Sequence, residues 1–257
     1  IIIDYFIERP WNEVFIFDNN IINIINNYGM WYNEIAIKVF KPLFSMCDIS
    51  LDITMIEFYE KTNVELNFYA TELKSFEEIV FSYKDTPDVK LIDAVYMTCA
   101  IPFLFKPMIY GNKYYIDGGF VNQYPIKNAL NNIDNHDTIF GIKNIAELPY
   151  EINENNEENS EEKDKDEEEE EKEEEISTLN IFDILQYMLL NPILKLIMPD
   201  DSIIYNELNI RSCGRLDIDM LKYTINSHEN RQELIRRAKK ETEKFIENKY
   251  KISLQKI

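Results

Sequence analysis

Residues 151–175, EINENNEENSEEKDKDEEEEEKEEE, set the strongest limit on what this chain can fold into: sixteen acidic side chains and three lysines leave almost nothing apolar to bury. A segment of that composition cannot offset the entropy lost in ordering it. It reads as a disordered, solvated surface insert with transient helix at most. Any core must therefore be assembled from residues 1–150 and 176–257, and the insert splits the sequence without requiring that the fold be split. The insert also carries −13 of the formal net charge of −20, so the rest, at −7, is only mildly acidic and the low pI says little about a substrate. Loose Ca²⁺ binding by the run is a weaker reading than plain solvation, and an anionic membrane would repel it.

Outside the insert the composition is that of a globular protein, with 45% hydrophobic residues overall, enough for a sizeable core. No basic stripe with interleaved aromatics precedes the last helix, which argues against nucleic acid as a partner. Cys47, Cys99 and Cys213 contain no CxxC pair, and His136 and His228 lie far apart. Neither a disulfide framework nor a zinc site follows, and a reducing, cytoplasmic setting is expected. The opening IIIDYFIERP lacks a methionine, a basic leader and a cleavage site, so it does not read as a signal peptide. Its apolar side reads as an element already in progress, and upstream sequence is expected.

Local patterns predict a mixed order of helices and strands. A pair of helices is expected around Ile21 to Phe40. Thr54 and Glu57 form a capping box that opens a helix through about Lys61. Val64 to Ala70 alternates as a strand, and Glu78 to Ser82 reads as its neighbour. From Asp88 to Ala100, residues Leu91, Ala94, Val95, Thr98 and Cys99 make one helical face that Pro102 ends. The proline-marked Pro102 to Pro107 reads as irregular. Gly111-Asn112 is a two-residue turn closing a hairpin between Met108–Tyr110 and Lys113–Ile116. Pro125 starts a helix over 126–130, and Thr138 to Lys143 reads as a buried strand. Ile181 to Leu189 reads as an amphipathic, core-facing helix too short and polar to span a bilayer. A last helix, about His228 to Lys249, shows Ile235, Ala238, Thr242 and Phe245 on one side.

One stretch stands out for chemistry. In YYIDGGFVNQYP (114–125) two of the chain's six glycines stand together behind Asp117, at the end of a predicted strand. Glycine serves where the backbone needs positive φ or a close approach. Asp117 thus lies where ligands collect in α/β sheets. The residues alone leave two readings open: an Asx-type turn, with Asp117 bonding backbone N–H groups, or a catalytic carboxylate.

The neighbourhood adds a resemblance. FYATEL (68–73), DAVYMTCAIPFLFKP (93–107) and G-NKYYIDGG-FVN-QYP (111–125) come in one order with close spacing. This series resembles the patatin-like phospholipases over roughly residues 54–145. The resemblance implies a three-layer α/β/α fold with a mostly parallel central sheet, incomplete at its N-terminus over residues 1–150, with 176–257 as a helical part packed on the same domain. It implies a Ser–Asp dyad hydrolysing a lipid acyl ester (phospholipase A-type) through an acyl-serine, with Asp117 as general base. Gly118, Gly119, Asn122 and Pro125 would shape the turn behind it. The family's oxyanion hole is made of backbone N–H groups, so no metal or other cofactor is implied. The partner would be a phospholipid or other acyl-ester lipid, met at the periphery of a membrane.

The sequence departs from the pattern in one respect. G-x-S-x-G and the glycine-rich oxyanion loop, upstream of the matched blocks in the family, do not occur here. Ile210-Arg211-Ser212-Cys213-Gly214 is half an elbow on the wrong side of Asp117, and Ser212 is not taken as nucleophile. The serine is expected upstream of Ile1, which would leave these 257 residues inactive alone. The alternative is a non-catalytic, patatin-derived lipid-binding or scaffold protein in which DGG is a relic of the fold. An unrelated α/β protein that reached DGG independently is a third reading. Cys99 is expected to be core packing.

Overall fold

In the computed structural model the described residues are 1–18, 20–146, 204–212 and 218–254. The acidic insert, the Ile181–Leu189 pattern and Cys213 lie outside them. The chain is α/β. Its helices are α1 (Ile2–Glu8), α2 (Trp11–Val14), α3 (Ile21–Asn27), α4 (Glu34–Met46), α5 (Met55–Thr62), α6 (Leu91–Thr98), α7 (Ile126–Asn132), α8 (Ile218–Asn226) and α9 (His228–Leu254). Its strands are β1 (Gly29–Trp31), β2 (Asn67–Glu72), β3 (Glu78–Ser82), β4 (Phe103–Phe105), β5 (Met108–Tyr110), β6 (Lys113–Asp117), β7 (Phe140–Ala146) and β8 (Asn206–Ser212).

The site is carried by a four-stranded sheet in the order β3-β2-β6-β5. Every pairing in it is antiparallel. This differs from the mostly parallel sheet expected, and the reason is local. A tight turn joins β2 to β3, and two residues join β5 to β6; connections that short can only reverse the chain. Among the described residues, parallel pairing is confined to β1 with β4 and β7 with β8. The β5–β6 turn takes the form its residues favour, since Gly111 (φ 54) and Asn112 (φ 61) both have positive φ.

Helix α5 starts at the predicted capping box: Glu57 N–H donates to the Thr54 hydroxyl at 3.3 Å and Thr54 N–H to the Glu57 carboxylate at 2.9 Å. Helix α6 is short and more enclosed than a single stripe suggests. Leu91 and Ala94 are buried as expected, but Ile92, Tyr96 and Met97 are buried too, while Cys99 is exposed. The helix is wedged between the sheet, where it meets β2 and β6, and α4, so both sides of it are covered.

Two predicted regions resolve differently. Phe103–Phe105, expected to be irregular, is a strand paired in parallel with Gly29–Trp31, which itself interrupts the expected helix pair. Gly29 is needed there, because a Cβ would stand 2.5 Å from the backbone of Phe105 and Lys106. Strand β7 is not buried on both faces: Gly141 and Ile139 are covered, whereas Phe140 and Ile142 are exposed. The last helix behaves as its pattern predicts, with Ile235, Ala238, Thr242 and Phe245 all half-buried along one side.

A second block of the core is aromatic. Trp31 receives the edges of Phe15 and Phe17, each with ring centroids 5.1 Å away, and packs on Phe105 at 5.3 Å. Its indole N–H donates to the Ile16 carbonyl at 2.9 Å, so a large ring is buried with its one polar atom satisfied. Arg231 on α9 donates to the Ile7 carbonyl at 2.8 and 2.9 Å and to the Ile225 carbonyl at 2.9 Å. It thereby closes the C-terminal ends of α1 and α8, where carbonyls lack helical partners.

Candidate active site

The three sequence blocks meet at one point, the C-terminal end of β6. Asp117 pairs with Ala70 of β2, and Ala70 has no exposed surface. The Asp117 N–H donates to the Ala100 carbonyl at 3.0 Å, which ties the end of β6 to the loop after α6. The Thr71 hydroxyl, fully buried, donates to the Asp117 carbonyl at 2.9 Å, and the Thr98 hydroxyl to the Tyr69 carbonyl at 2.7 Å. Each block thus contributes a small or hydroxylated residue whose work is to fix the Asp117 backbone. The three blocks form one junction in space.

The paired glycines serve close approach rather than positive φ. Neither Gly118 nor Gly119 is among the positive-φ glycines, and both belong to a 3₁₀ turn over Gly118–Phe120. A Cβ on Gly118 would collide with the carbonyl group of Tyr69, its carbon only 2.7 Å away. A Cβ on Gly119 would stand 2.9 Å from Asp117 Oδ1, the atom to which the Gly119 N–H donates at 2.7 Å. One glycine lets the turn lie against β2; the other lets it hold the carboxylate. Asn122 shapes the turn, its N–H donating to the Gly118 carbonyl at 3.0 Å and its side-chain oxygen accepting from Tyr124 N–H at 3.2 Å. Pro125 sits at the N-cap of α7.

Among the described residues, the Asp117 carboxylate accepts that single hydrogen bond from Gly119. The group is half-buried, and desolvation pushes its pKa above the ordinary carboxylate value, with the Gly119 N–H pulling the other way. The Asx-type contact is therefore real, yet it does not account for a carboxylate held where ionisation is disfavoured. A raised pKa makes the ionised group a stronger base than a solvated carboxylate, so the same side chain can serve as turn anchor or as proton acceptor. Cys99 stands beside it at the end of α6, so the core-packing expectation gives way to a thiol at the margin of the site. Although the residue is exposed overall, desolvation followed by the Asp117 charge pushes the thiol up to about 11. It stays a neutral thiol at pH 7, unsuited to nucleophilic attack.

The acidic residue of FYATEL has a structural task. Glu72 is buried, and its carboxylate accepts from the N–H groups of Lys74 at 3.1 Å and Ser75 at 2.8 Å. These bonds, with the Ser75 hydroxyl, hold its pKa down at about 2. It clasps the turn between β2 and β3.

Sequence reasoning passed over one serine hydrogen-bonded to an aspartate. The Ser82 hydroxyl donates to Asp85 at 2.6 Å, but it also accepts from Lys84 and Asp85 N–H and has no exposed surface. It caps a turn on β3 and cannot reach a substrate. Ser212 ends β8, in a separate two-stranded sheet from Asp117. His136 contacts the Leu130 carbonyl and His228 contacts Glu8, neither of them at the site. Among the described residues no group of three or more His, Cys, Asp or Glu could hold a metal ion. No helix among them is long and apolar enough to cross a membrane.

Comparison with known proteins bears on the same region. Residues 16–130 match the family model described as "Patatin-like phospholipase". A protein of Invertebrate iridescent virus 6 named "Probable lipid hydrolase 463L" is 33% identical over 105 residues, covering 41% of this chain and 36% of that protein. The chain thus spans about a third of the length of the curated relative it matches.

Proposed function

We infer, from residues 16–130 belonging to the patatin-like phospholipase family, that this chain carries the base-bearing part of a lipid acyl hydrolase of phospholipase A type. Asp117 is the general base of a Ser–Asp dyad whose serine is supplied by sequence upstream of Ile1, because no G-x-S-x-G occurs in these 257 residues. The observation that carries the reading is the Asp117 carboxylate itself. It is desolvated, held by a single hydrogen bond among the described residues, and fixed by residues from all three matched blocks.

In this mechanism the serine hydroxyl attacks the ester carbonyl carbon of a phospholipid or related acyl ester while its proton passes to Asp117. Collapse of the tetrahedral species expels the alcohol, which takes that proton, and leaves an acyl-serine. Water then repeats the sequence to release the fatty acid. A raised carboxyl pKa favours the steps in which Asp117 accepts a proton, from the serine and later from water, since it is then a stronger base than a solvated aspartate. The substrate is met at a membrane surface, where acyl-ester lipids reside.

The test is hydrolysis of a chromogenic acyl ester by the protein expressed from its complete coding sequence. Asp117→Asn is expected to lower turnover by about 10²- to 10⁴-fold, the usual worth of a positioned base, with circular dichroism unchanged. Turnover within twofold of the parent would sink the assignment. The 257-residue chain alone is expected to be inactive, and activity there that Ser212→Ala removes would do the same.

A further inference from the structure

The turn that holds Asp117 leaves through a contact that is locally unfavourable on both sides. Gly141 lies inside β7, where glycine weakens a strand, and it is not among the positive-φ glycines, so the backbone does not require it. Tyr124 does. A Cβ at position 141 would overlap the Tyr124 hydroxyl oxygen and stand 3.2 Å from the ring carbon that bears it. That hydroxyl is buried and has no hydrogen-bond partner among the described residues, a state that costs free energy. Two local costs coincide at one close approach, and local rules are broken together where a fold serves a site.

The seat of the ring is small and separate. Ile126, Ile139 and Ile204 form a cluster apart from the main core, and Tyr124 packs against it, so one ring is a large part of what that cluster removes from water. Glu207 stands opposite Gly141 in the β7–β8 ladder, with its Oε2 buried and without a partner as well. Burial, followed by Glu207, pushes the Tyr124 hydroxyl up to about 12, so the phenol stays neutral at pH 7. Toward the site, hydrogen bonds span the whole interval back to Asp117. Tyr124 N–H donates to the Asn122 side-chain oxygen at 3.2 Å, Asn122 N–H to the Gly118 carbonyl at 3.0 Å, and Gly119 N–H to Asp117 Oδ1 at 2.7 Å. A turn bonded in this way shifts as a unit, and the place where Tyr124 is seated sets where the Gly119 N–H points.

We propose that Tyr124 is a positioning residue for Asp117: seated on Gly141, its ring anchors the exit of the DGG turn on β7 and so fixes the Gly119 N–H that holds the carboxylate. Strands β7 and β8, which lie in a different sheet from Asp117, thereby take part in aiming it. The proposal deepens the hydrolase reading and rests on it for the consequence on turnover, but the placement of the turn requires no turnover.

The experiment follows the Gly119 amide proton by NMR through an acid titration of the protein expressed from its complete coding sequence, since a donor to a carboxylate reports the ionisation of that carboxylate. The parent is expected to show the titration. Gly141→Ala, which drives the Tyr124 hydroxyl from its seat, is expected to cut the amplitude about twofold or more and to lower turnover of a chromogenic acyl ester about tenfold or more. Adding Tyr124→Phe removes the oxygen that the new methyl meets, and the other close contact, 2.8 Å to Ile204 Cδ1, is with the flexible end of a side chain. The double variant is therefore expected to regain both signals, which a general weakening of β7 would not allow. Should Gly141→Ala not fold, Tyr124→Leu, which stays apolar and loses the ring, is expected to give the same loss of amplitude. No titration at Gly119 in the parent, an unchanged amplitude in the single variants, or a double variant no better than Gly141→Ala would overturn the proposal. Loss and rescue of the Gly119 signal in a complete protein that hydrolyses no ester would refute the hydrolase reading and leave the role of Tyr124 in the turn standing.

Discussion

The junction at Asp117 and the aromatic block around Trp31 border one hydrophobic core, and they are held together in opposite ways. At the junction the packing residues are as small as residues come: Ala70, Gly118 and Gly119, with Thr71 and Thr98 turned to backbone carbonyls. Around Trp31 the same task falls to rings, Phe15, Phe17 and Phe105, with centroids 5.1 to 5.3 Å from it. Rings contribute area removed from water, and stability follows that area. Small residues contribute little area, but they let two backbones approach until polar groups fix each other. The first arrangement stabilises a fold, and the second aims a carboxylate.

The comparison breaks most visibly at Trp31. Trp31→Ala removes a ring buried to 6% exposure and strands the Ile16 carbonyl, and about 3–5 kcal/mol of unfolding free energy should be lost in urea titrations. A loss below about 1 kcal/mol would mean that the ring block is not what holds this part of the domain. The next largest effect belongs to the junction. Gly118→Ala brings a methyl against the Tyr69 carbonyl, which is backbone in a strand paired on both sides and cannot swing aside. Overpacking of that kind costs about 1–3 kcal/mol. Gly119→Ala meets only the Asp117 side chain and should cost less stability, while moving the carboxylate away from the Gly119 N–H. Equal losses at the two positions would show that the glycines are not divided between fold and site.

The same contrast explains what could be read from the sequence. The capping box at Thr54, the Gly111-Asn112 hairpin and strand Glu78–Ser82 are specified by neighbours a few residues apart, and each appears where its local pattern places it. Asp117 was legible because glycine pairs are rare in this chain. The reason for the glycines was not, because it lies in Tyr69, far away in sequence. Strands β1 and β4 were missed for a related cause. Each is three residues long, and their pairing is set by contacts between Gly29 and Phe103 and between Trp31 and Phe105, which no local periodicity encodes. Cys99 was misplaced because a helical stripe predicts a face, whereas α6 ends at Thr98 and leaves Cys99 at its C-cap.

The smallest effect expected is also the one that runs the other way. Desolvation raises the Asp117 pKa above its ordinary value of 3.8, so the folded state ionises this group at a higher pH than the unfolded chain does. Well below 3.8 both states are protonated and the group has no pH-dependent effect; as pH rises through the window above 3.8, the unfolded chain ionises first and stability falls. The loss is complete once the pH has passed the folded value as well. Asp117→Asn keeps an oxygen for the Gly119 N–H and removes the ionisation, so the difference in Tm between variant and parent should grow in the variant's favour from about pH 3 to pH 7. The conversion that should abolish chemistry should therefore make the protein slightly more stable, which sets the junction apart from Trp31, where any truncation costs stability. A difference that shrinks with rising pH would mean that the folded environment favours the charged carboxylate, and Asp117 would then be better read as a turn anchor than as a base.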